Sequence, residues 1–195
     1  MTIQKEIYKY EDFNHLLGTK GFSDTLLKNH FALYQGYVNN INKIIELLEK
    51  TDKTSPEFAE MKRRLGWEFN GMRLHELYFG NMKRGGAAID KNHALFKKNT
   101  VDFGSFEAWE KDFKAIGAMR GIGWVILYHD PDSDRLFNVW INEHDVGHIS
   151  GAKPLLVMDI FEHAYMVDYG LKKADYITAF FNAIDWGVVE KRFIK

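Results

Sequence analysis

The sequence predicts an α+β fold in which a long antiparallel helical hairpin precedes a small antiparallel three-stranded sheet flanked by helices. Apolar residues recur at helical spacing over residues 23–50 and again over residues 56–80, and a polar connector separates the two segments. In the second half of the chain, short apolar runs bounded by turn residues replace this period. Helices followed by strands are typical of the α+β class.

Local signals fix where these elements begin. Ser23 is a predicted N-cap, and Asp24 in the first turn is stabilised by the positive end of the helix dipole. Ser55 and Pro56 form a cap and first-turn pair for the second helix. The helices joined by this short connector are expected to pack as an antiparallel hairpin.

The double glycine Gly85-Gly86 marks a predicted boundary between two domains. Residues 1–86 form the predicted N-terminal helical hairpin domain, and residues 87–195 form the predicted C-terminal α/β domain. Within the second part, a helix is predicted over residues 103–119 and another over 173–190. Three strands are predicted over residues 123–128, 136–141 and 155–158.

Composition excludes several classes of function. With 26 basic and 27 acidic residues, the net charge of −1 predicts neither nucleic acid nor a membrane as a partner. The sequence has no run of 18 apolar residues that could span a bilayer and no secretory signal. The absence of cysteine excludes disulfides and thiolate metal sites, and it fits a reducing compartment. We therefore expect a cytoplasmic protein.

Four residues have the types and positions of metal ligands. Asp159 ends an apolar run and His163 follows four residues later, so the pair can converge on one ion; equally, such a pair can cap a helix and hydrogen-bond in the core. His30 and His75 lie within the two predicted long helices, which a hairpin can bring face to face, although each can also be an ordinary core histidine. Three imidazoles and a carboxylate suit Fe, Mn or Zn.

The segment from Asp159 to Tyr165 resembles the D-x-[WF]-E-H-[STA]-[FY] signature of iron/manganese superoxide dismutases. Other segments resemble the same family in the same order. They are Tyr37–Asn42 in the first helix, His75 followed by Phe79, Gly121–Trp124 at a strand entry, Pro154 before the Asp, and the pattern from Tyr169 to Trp186.

This resemblance implies that His30, His75, Asp159 and His163 bind one Fe or Mn ion per subunit. It also implies the activity, which is the conversion of superoxide and protons to oxygen and hydrogen peroxide by redox cycling of the ion. On the N-terminal side of His30 the match is without a gap, but one residue is missing on the other side.

The resemblance implies catalytic roles for His144, Tyr37 and Tyr34. The family's gateway tyrosine usually lies eight residues after the first ligand, whereas Tyr37 lies seven after it; on a helix, seven residues return to within about 20° of the same direction. Gly71, four residues before His75, cannot supply the outer-sphere side chain that some members place there, so the loop residue His144 is the expected substitute. His148 is a weaker candidate for the same role.

Further roles implied by the resemblance concern assembly and the walls of the site. Glu162 and Tyr165 match dimer-interface positions, so a homodimer or a tetramer is expected. Trp124 and Trp186 match aromatic residues that line the site, and Lys173 matches a basic position near it.

Two other classes of function remain open from the sequence. One is a homologue that binds metal with little activity and has a structural or sensing role, which the missing residue after His30 and the substitutions at Tyr34 and Met166 allow. The other is a non-haem iron oxidase built on a similar hairpin.

Overall fold

The computed structural model describes residues 7–194, in which a 3-10 turn at Asn14–Leu16 precedes two long helices. Helix α1 spans Asp24–Lys50 and helix α2 spans Pro56–Gly80. The Oγ atoms of Ser23 and Ser55 accept hydrogen bonds from backbone amides three residues further on, at 3.0 and 3.1 Å. Both predicted caps are therefore present, and the predicted hairpin is confirmed.

The hairpin buries polar groups as well as apolar ones. The apolar face of α1 includes Leu26, Leu27, Val38 and Ile41, all of them almost completely buried. His30 and His75 are equally inaccessible, at 1% and 0% exposure.

Two shorter helices lead from the hairpin to the sheet, where the sequence predicted one. Helix α3 spans Ala94–Phe103 and helix α4 spans Phe106–Gly117. Gly104 separates them with a φ of +87°, a backbone conformation that favours glycine. The helix predicted over residues 103–119 corresponds to α4, whereas α3 was not predicted.

The antiparallel three-stranded sheet is confirmed. Strands β1 (Gly123–Asp130), β2 (Arg135–Asn142) and β3 (Lys153–Asp159) lie in the order β2-β1-β3. The register pairs Trp124 of β1 with Asp159 of β3. The central strand therefore places a tryptophan beside the carboxylate at the end of its neighbour.

The chain ends with helices α5 (Met166–Tyr169), α6 (Lys173–Ala183) and α7 (Trp186–Ile194). The single helix predicted over residues 173–190 is wrong, because the chain leaves helical geometry at Ile184 and starts again at Trp186. The segment after α2 forms backbone hydrogen bonds with the residues at this break. The domain division predicted at residue 86 stays a prediction. None of the helices within residues 7–194 has the length and apolar character needed to cross a membrane.

Candidate metal centre

Four side chains converge on one point between the hairpin and the sheet. Oδ2 of Asp159 lies 3.2 Å from His30 Nε2 and 3.0 Å from His163 Nε2. His75 Nε2 lies 3.6 Å from the same oxygen. One donor atom from each of the four residues lies within 4.8 Å of the others. The structure therefore brings together all four residues that the sequence nominates as ligands.

Separate elements deliver these side chains. His30 comes from α1 and His75 from α2, and their rings lie 5.0 Å apart at 88° to one another. Asp159 is the last residue of β3, and His163 lies in the 3-10 turn Glu162–Ala164 that follows. The backbone N–H of Phe161 donates to Asp159 Oδ1 at 2.8 Å, which stabilises this turn. One carboxylate oxygen thus shapes the turn while the other faces the imidazoles.

The proton arrangement of His75 fits a cation at this point. Its Nδ1–H donates to the carbonyl of Gly71 at 2.5 Å, so Nε2 carries a lone pair. That lone pair faces Oδ2 of Asp159, another acceptor, and Nε2 is buried without a hydrogen-bond partner among the described residues. Ligand atoms about 2.1 Å from one ion lie about 3.0–3.6 Å apart at bond angles of about 90–120°. The observed separations from Oδ2, 3.0 to 3.6 Å, match this spacing.

The protonation states that the fold favours are those of metal ligands. Burial lowers the pKa of His30 and lowers that of His75 further, so both imidazoles stay neutral. Burial by itself would raise the pKa of Asp159, but His163 and His30 outweigh this effect, and the pKa lies far below its usual range. Neutral imidazoles around an ionised carboxylate are ready to bind a metal without releasing a proton.

His144 lies beside this centre, fully buried although it belongs to the loop after β2. The indole N–H of Trp124 donates to His144 Nδ1 at 3.0 Å. Because an indole can only donate, the proton of the neutral imidazole is on Nε2, which lies 2.8 Å from the hydroxyl oxygen of Tyr37. His144 therefore donates to Tyr37, whose own O–H proton is left available for another acceptor.

The ring of Tyr37 lies against the backbone of Gly71. A Cβ at residue 71 would come within 2.5 Å of this ring. The same ring stacks on His75, with centroids 5.1 Å apart and an interplanar angle of 28°. Burial raises the pKa of the Tyr37 phenol, which keeps the hydroxyl protonated. Tyr37, seven residues after His30, thus faces the site.

Tyr34 has a different environment. Its hydroxyl donates to Glu76 Oε1 at 3.0 Å and accepts from the backbone N–H of Glu11 at 3.0 Å. Its ring approaches His75 at 6.3 Å between centroids. The hydroxyl of Tyr34 is therefore hydrogen-bonded next to the N-terminal segment, and the structure does not bring it to His144.

The remaining nominated residues divide into two groups. Trp124 packs on His75 at 5.0 Å. Trp186 instead contacts the rings of Trp109 and Phe106, each at 5.6 Å. The structure therefore places Trp124 at the centre and puts Trp186 in the aromatic cluster around α4.

A second set of residues lies on the outer side of His163, whose side chain is 28% exposed. Glu162 is exposed, Tyr165 is buried, and the ammonium of Lys173 lies 5.9 Å from the Tyr165 ring. Lys173 donates to the carbonyl of Met119 at 3.1 Å.

Sequence reasoning missed two aromatic residues that hold the site. Phe161 stacks on His163 at 5.1 Å and on His144 at 4.8 Å. Trp67 of α2 contacts the His144 ring at 4.5 Å. Phe161 lies inside the Asp159–Tyr165 signature, so its position was a usable signal. Trp67 lies eight residues before His75 on α2, about 80° around the helix from it, and offered only a weaker indication.

Three imidazoles and one carboxylate in a buried centre define a protein that binds a single metal ion. The family model for the C-terminal domain of iron/manganese superoxide dismutases matches residues 91–192. An iron superoxide dismutase from Aquifex pyrophilus is 38% identical over 200 residues, covering 97% of this chain and 93% of that protein. A manganese superoxide dismutase, number 2 of Haloferax volcanii, is 36% identical over 168 residues, covering 85% and 83%.

An iron superoxide dismutase from Cupriavidus metallidurans is 37% identical over 179 residues, covering 89% of each chain. The chain belongs to the iron/manganese superoxide dismutase family. Its relatives include proteins named for iron and proteins named for manganese.

The buried His144 generates a prediction about stability against pH. Burial lowers its pKa to about 4, below the value of about 6.5 for an unfolded histidine, so the unfolded chain binds the proton more tightly. The contribution of neutral His144 to the free energy of unfolding is complete above pH ~6.5 and is lost as the pH falls towards ~4. Going from pH ~7 to ~4.5 should cost the metal-free protein about 2.5 kcal/mol more than it costs His144→Gln. Urea unfolding at both pH values measures this difference, and equal losses in the two proteins would contradict it.

Proposed function

We propose that this chain is a superoxide dismutase that holds one Fe or Mn ion through His30, His75, Asp159 and His163. The observation that carries the proposal is the convergence of three imidazole Nε2 atoms on one oxygen of a buried, ionised carboxylate. The overall reaction converts two superoxide anions and two protons to oxygen and hydrogen peroxide. When bound, the ion supplies the one-electron exchange by which one superoxide is oxidised and a second is reduced.

The protein's own groups set the charge and the proton supply around that exchange. Asp159 contributes one negative charge, and the neutral imidazoles of His30 and His75 contribute none. Because His144 Nε2–H donates to Tyr37, the Tyr37 O–H can donate a proton towards the site. Peroxide leaves protonated, so this hydroxyl is the group we assign to proton delivery. The surrounding aromatic rings keep bulk water away from the centre.

Two further statements belong to this proposal. The protein acts as an antioxidant in the cytoplasm, a compartment that fits the absence of cysteine from the sequence. It also forms at least a homodimer. Exposed apolar side chains follow His163 closely in the chain, at Met166, Val167 and Leu171. Exposed apolar side chains favour an interface, and in the proposed dimer a second copy covers this segment together with Glu162.

The function predicts metal-dependent turnover. Protein loaded with either Fe or Mn should retain about one ion per chain and consume superoxide catalytically, whereas His75→Ala should lose both the ion and the turnover because one ligand is removed. Metal analysis together with a superoxide decay assay tests this. Retention of metal without turnover would favour a sensing or structural homologue. Oxygen consumption with an organic cosubstrate would favour an oxidase.

The two tyrosines provide a matched pair of variants. Tyr37→Phe removes the hydroxyl that His144 contacts and should lower kcat by about a hundredfold, the scale of a general acid. Tyr34→Phe removes a hydroxyl bonded to Glu76 and should leave kcat within about threefold, because that group is remote from the proton path. Steady-state kinetics on metal-loaded proteins decides the assignment. A larger effect at Tyr34 would overturn it.

The dimer is testable at Val167, which is 55% exposed in α5. Val167→Glu places a charge in the proposed interface and should shift the sedimentation mass towards one chain, because desolvating an unpaired charge is costly. The matched control is Val101→Glu in α3, where the side chain is 75% exposed and outside the proposed interface. A wild-type mass of one chain, or equal masses for both variants, would refute the proposal. A mass of four chains would extend it to a tetramer.

A further inference from the structure

The loop that carries His144 has a strained backbone. Glu143 has a φ of +50°, in the left-handed region that non-glycine residues rarely adopt. The turn around it is closed by hydrogen bonds between the backbones of Asn142 and Val146, at 2.8 and 3.3 Å. The strained residue lies immediately before His144, so its conformation sets the direction in which the imidazole enters the site. Strain of this kind persists only where surrounding contacts enforce it.

One such contact links the loop to α2. The indole N–H of Trp67 donates to Oε2 of Glu143 at 2.9 Å. The ring of Trp67 also contacts the imidazole of His144 at 4.5 Å and 73°, and that of Tyr37 at 5.5 Å. Trp67 therefore hydrogen-bonds to the strained residue and packs against the rings of His144 and Tyr37 at the same time.

Trp67 is fixed in turn from its other face. The guanidinium of Arg64 stacks over the indole at 3.6 Å from the ring centroid. Arg64 Nε donates to the buried carboxylate of Glu68 at 2.9 Å, and Asn40 of α1 approaches the other oxygen of Glu68 at 3.4 Å. These contacts connect the Trp67 indole to both helices of the hairpin. The indole is therefore fixed in the position from which it donates to Glu143.

We propose that Trp67 and Glu143 are positioning residues for the proton relay, with their hydrogen bond holding His144 at the distance from which it donates to Tyr37. The proposal rests on the proposed function for its catalytic meaning. The hydrogen bond between Trp67 and Glu143 would order His144 whether or not the protein turns over superoxide. Neither residue touches the four nominated ligands in a hydrogen bond, so metal retention should not depend on them.

The test uses the exchange of the Trp124 indole proton, which donates to His144 and reports whether that imidazole stays in place. In the metal-free full-length chain, nuclear magnetic resonance should show exchange about fivefold faster in Trp67→Phe and in Glu143→Ala, the scale expected for one lost hydrogen bond. Glu143→Gln retains an acceptor oxygen and should restore the wild-type rate. The double variant Trp67→Phe/Glu143→Ala should be no worse than either single variant, because both remove the same bond.

Trp109→Phe is the matched control, because Trp109 also donates from its indole to a side chain, Asn138, at 2.9 Å. It should leave the Trp124 exchange rate unchanged. In the metal-loaded enzyme, Trp67→Phe should lower kcat by about fivefold and leave kcat/KM within about twofold, since proton delivery follows substrate association. Unchanged exchange in Trp67→Phe, or additive effects in the double variant, would overturn the positioning role even if dismutase activity is present. A chain without any dismutase activity would refute the proposed function while leaving the exchange result intact.

Discussion

The fold is organised around the lone pair of His75 Nε2 that faces an oxygen of Asp159 in the buried interior. The carbonyl of Gly71 fixes the proton of His75 on the opposite nitrogen, so this contact between two acceptors cannot be relieved by a change of tautomer. Unpaired polar groups in a protein interior are costly, and one cation compensates both. α1, α2 and β3 must meet at that point for the ion to be held, so the requirement ties the hairpin to the sheet.

A second fixed tautomer extends order outwards from this centre. Trp124 is paired with Asp159 in the sheet register, and its indole determines which nitrogen of His144 carries the proton. That proton in turn determines which way the hydroxyl of Tyr37 points. The strand register that delivers the carboxylate therefore also sets the direction of the proton path that we propose. Asp159 and Trp124 lie on neighbouring strands, and the loop that carries His144 is held against them by the Trp124 indole.

The sequence predicted the parts of the structure that rest on local signals. The two long helices have apolar residues at helical spacing and serine caps, and Asp159 and His163 lie in one short signature. Helix α3 escaped prediction because its N-terminal amides, those of Ala94 and Leu95, are capped by Glu190 from α7. The break before α7 escaped for a similar reason, since the amide of Asp185 bonds to the carbonyl of Asn81. Contacts between residues about a hundred positions apart leave no local pattern to read.

The position of Tyr37 and the glycine at position 71 fit one another in the structure. Tyr37 lies seven residues after His30, one fewer than is usual in the family, and its ring packs against Gly71 of α2. With a Cβ at that position only 2.5 Å from the Tyr37 ring, the ring occupies space that any larger residue would need. Gly71 therefore leaves room for the Tyr37 ring, and the loop supplies the imidazole of His144 on the other side of the hydroxyl. The short spacing after His30 would by itself weaken the argument for an enzyme, but this packing keeps the Tyr37 hydroxyl 2.8 Å from His144 Nε2.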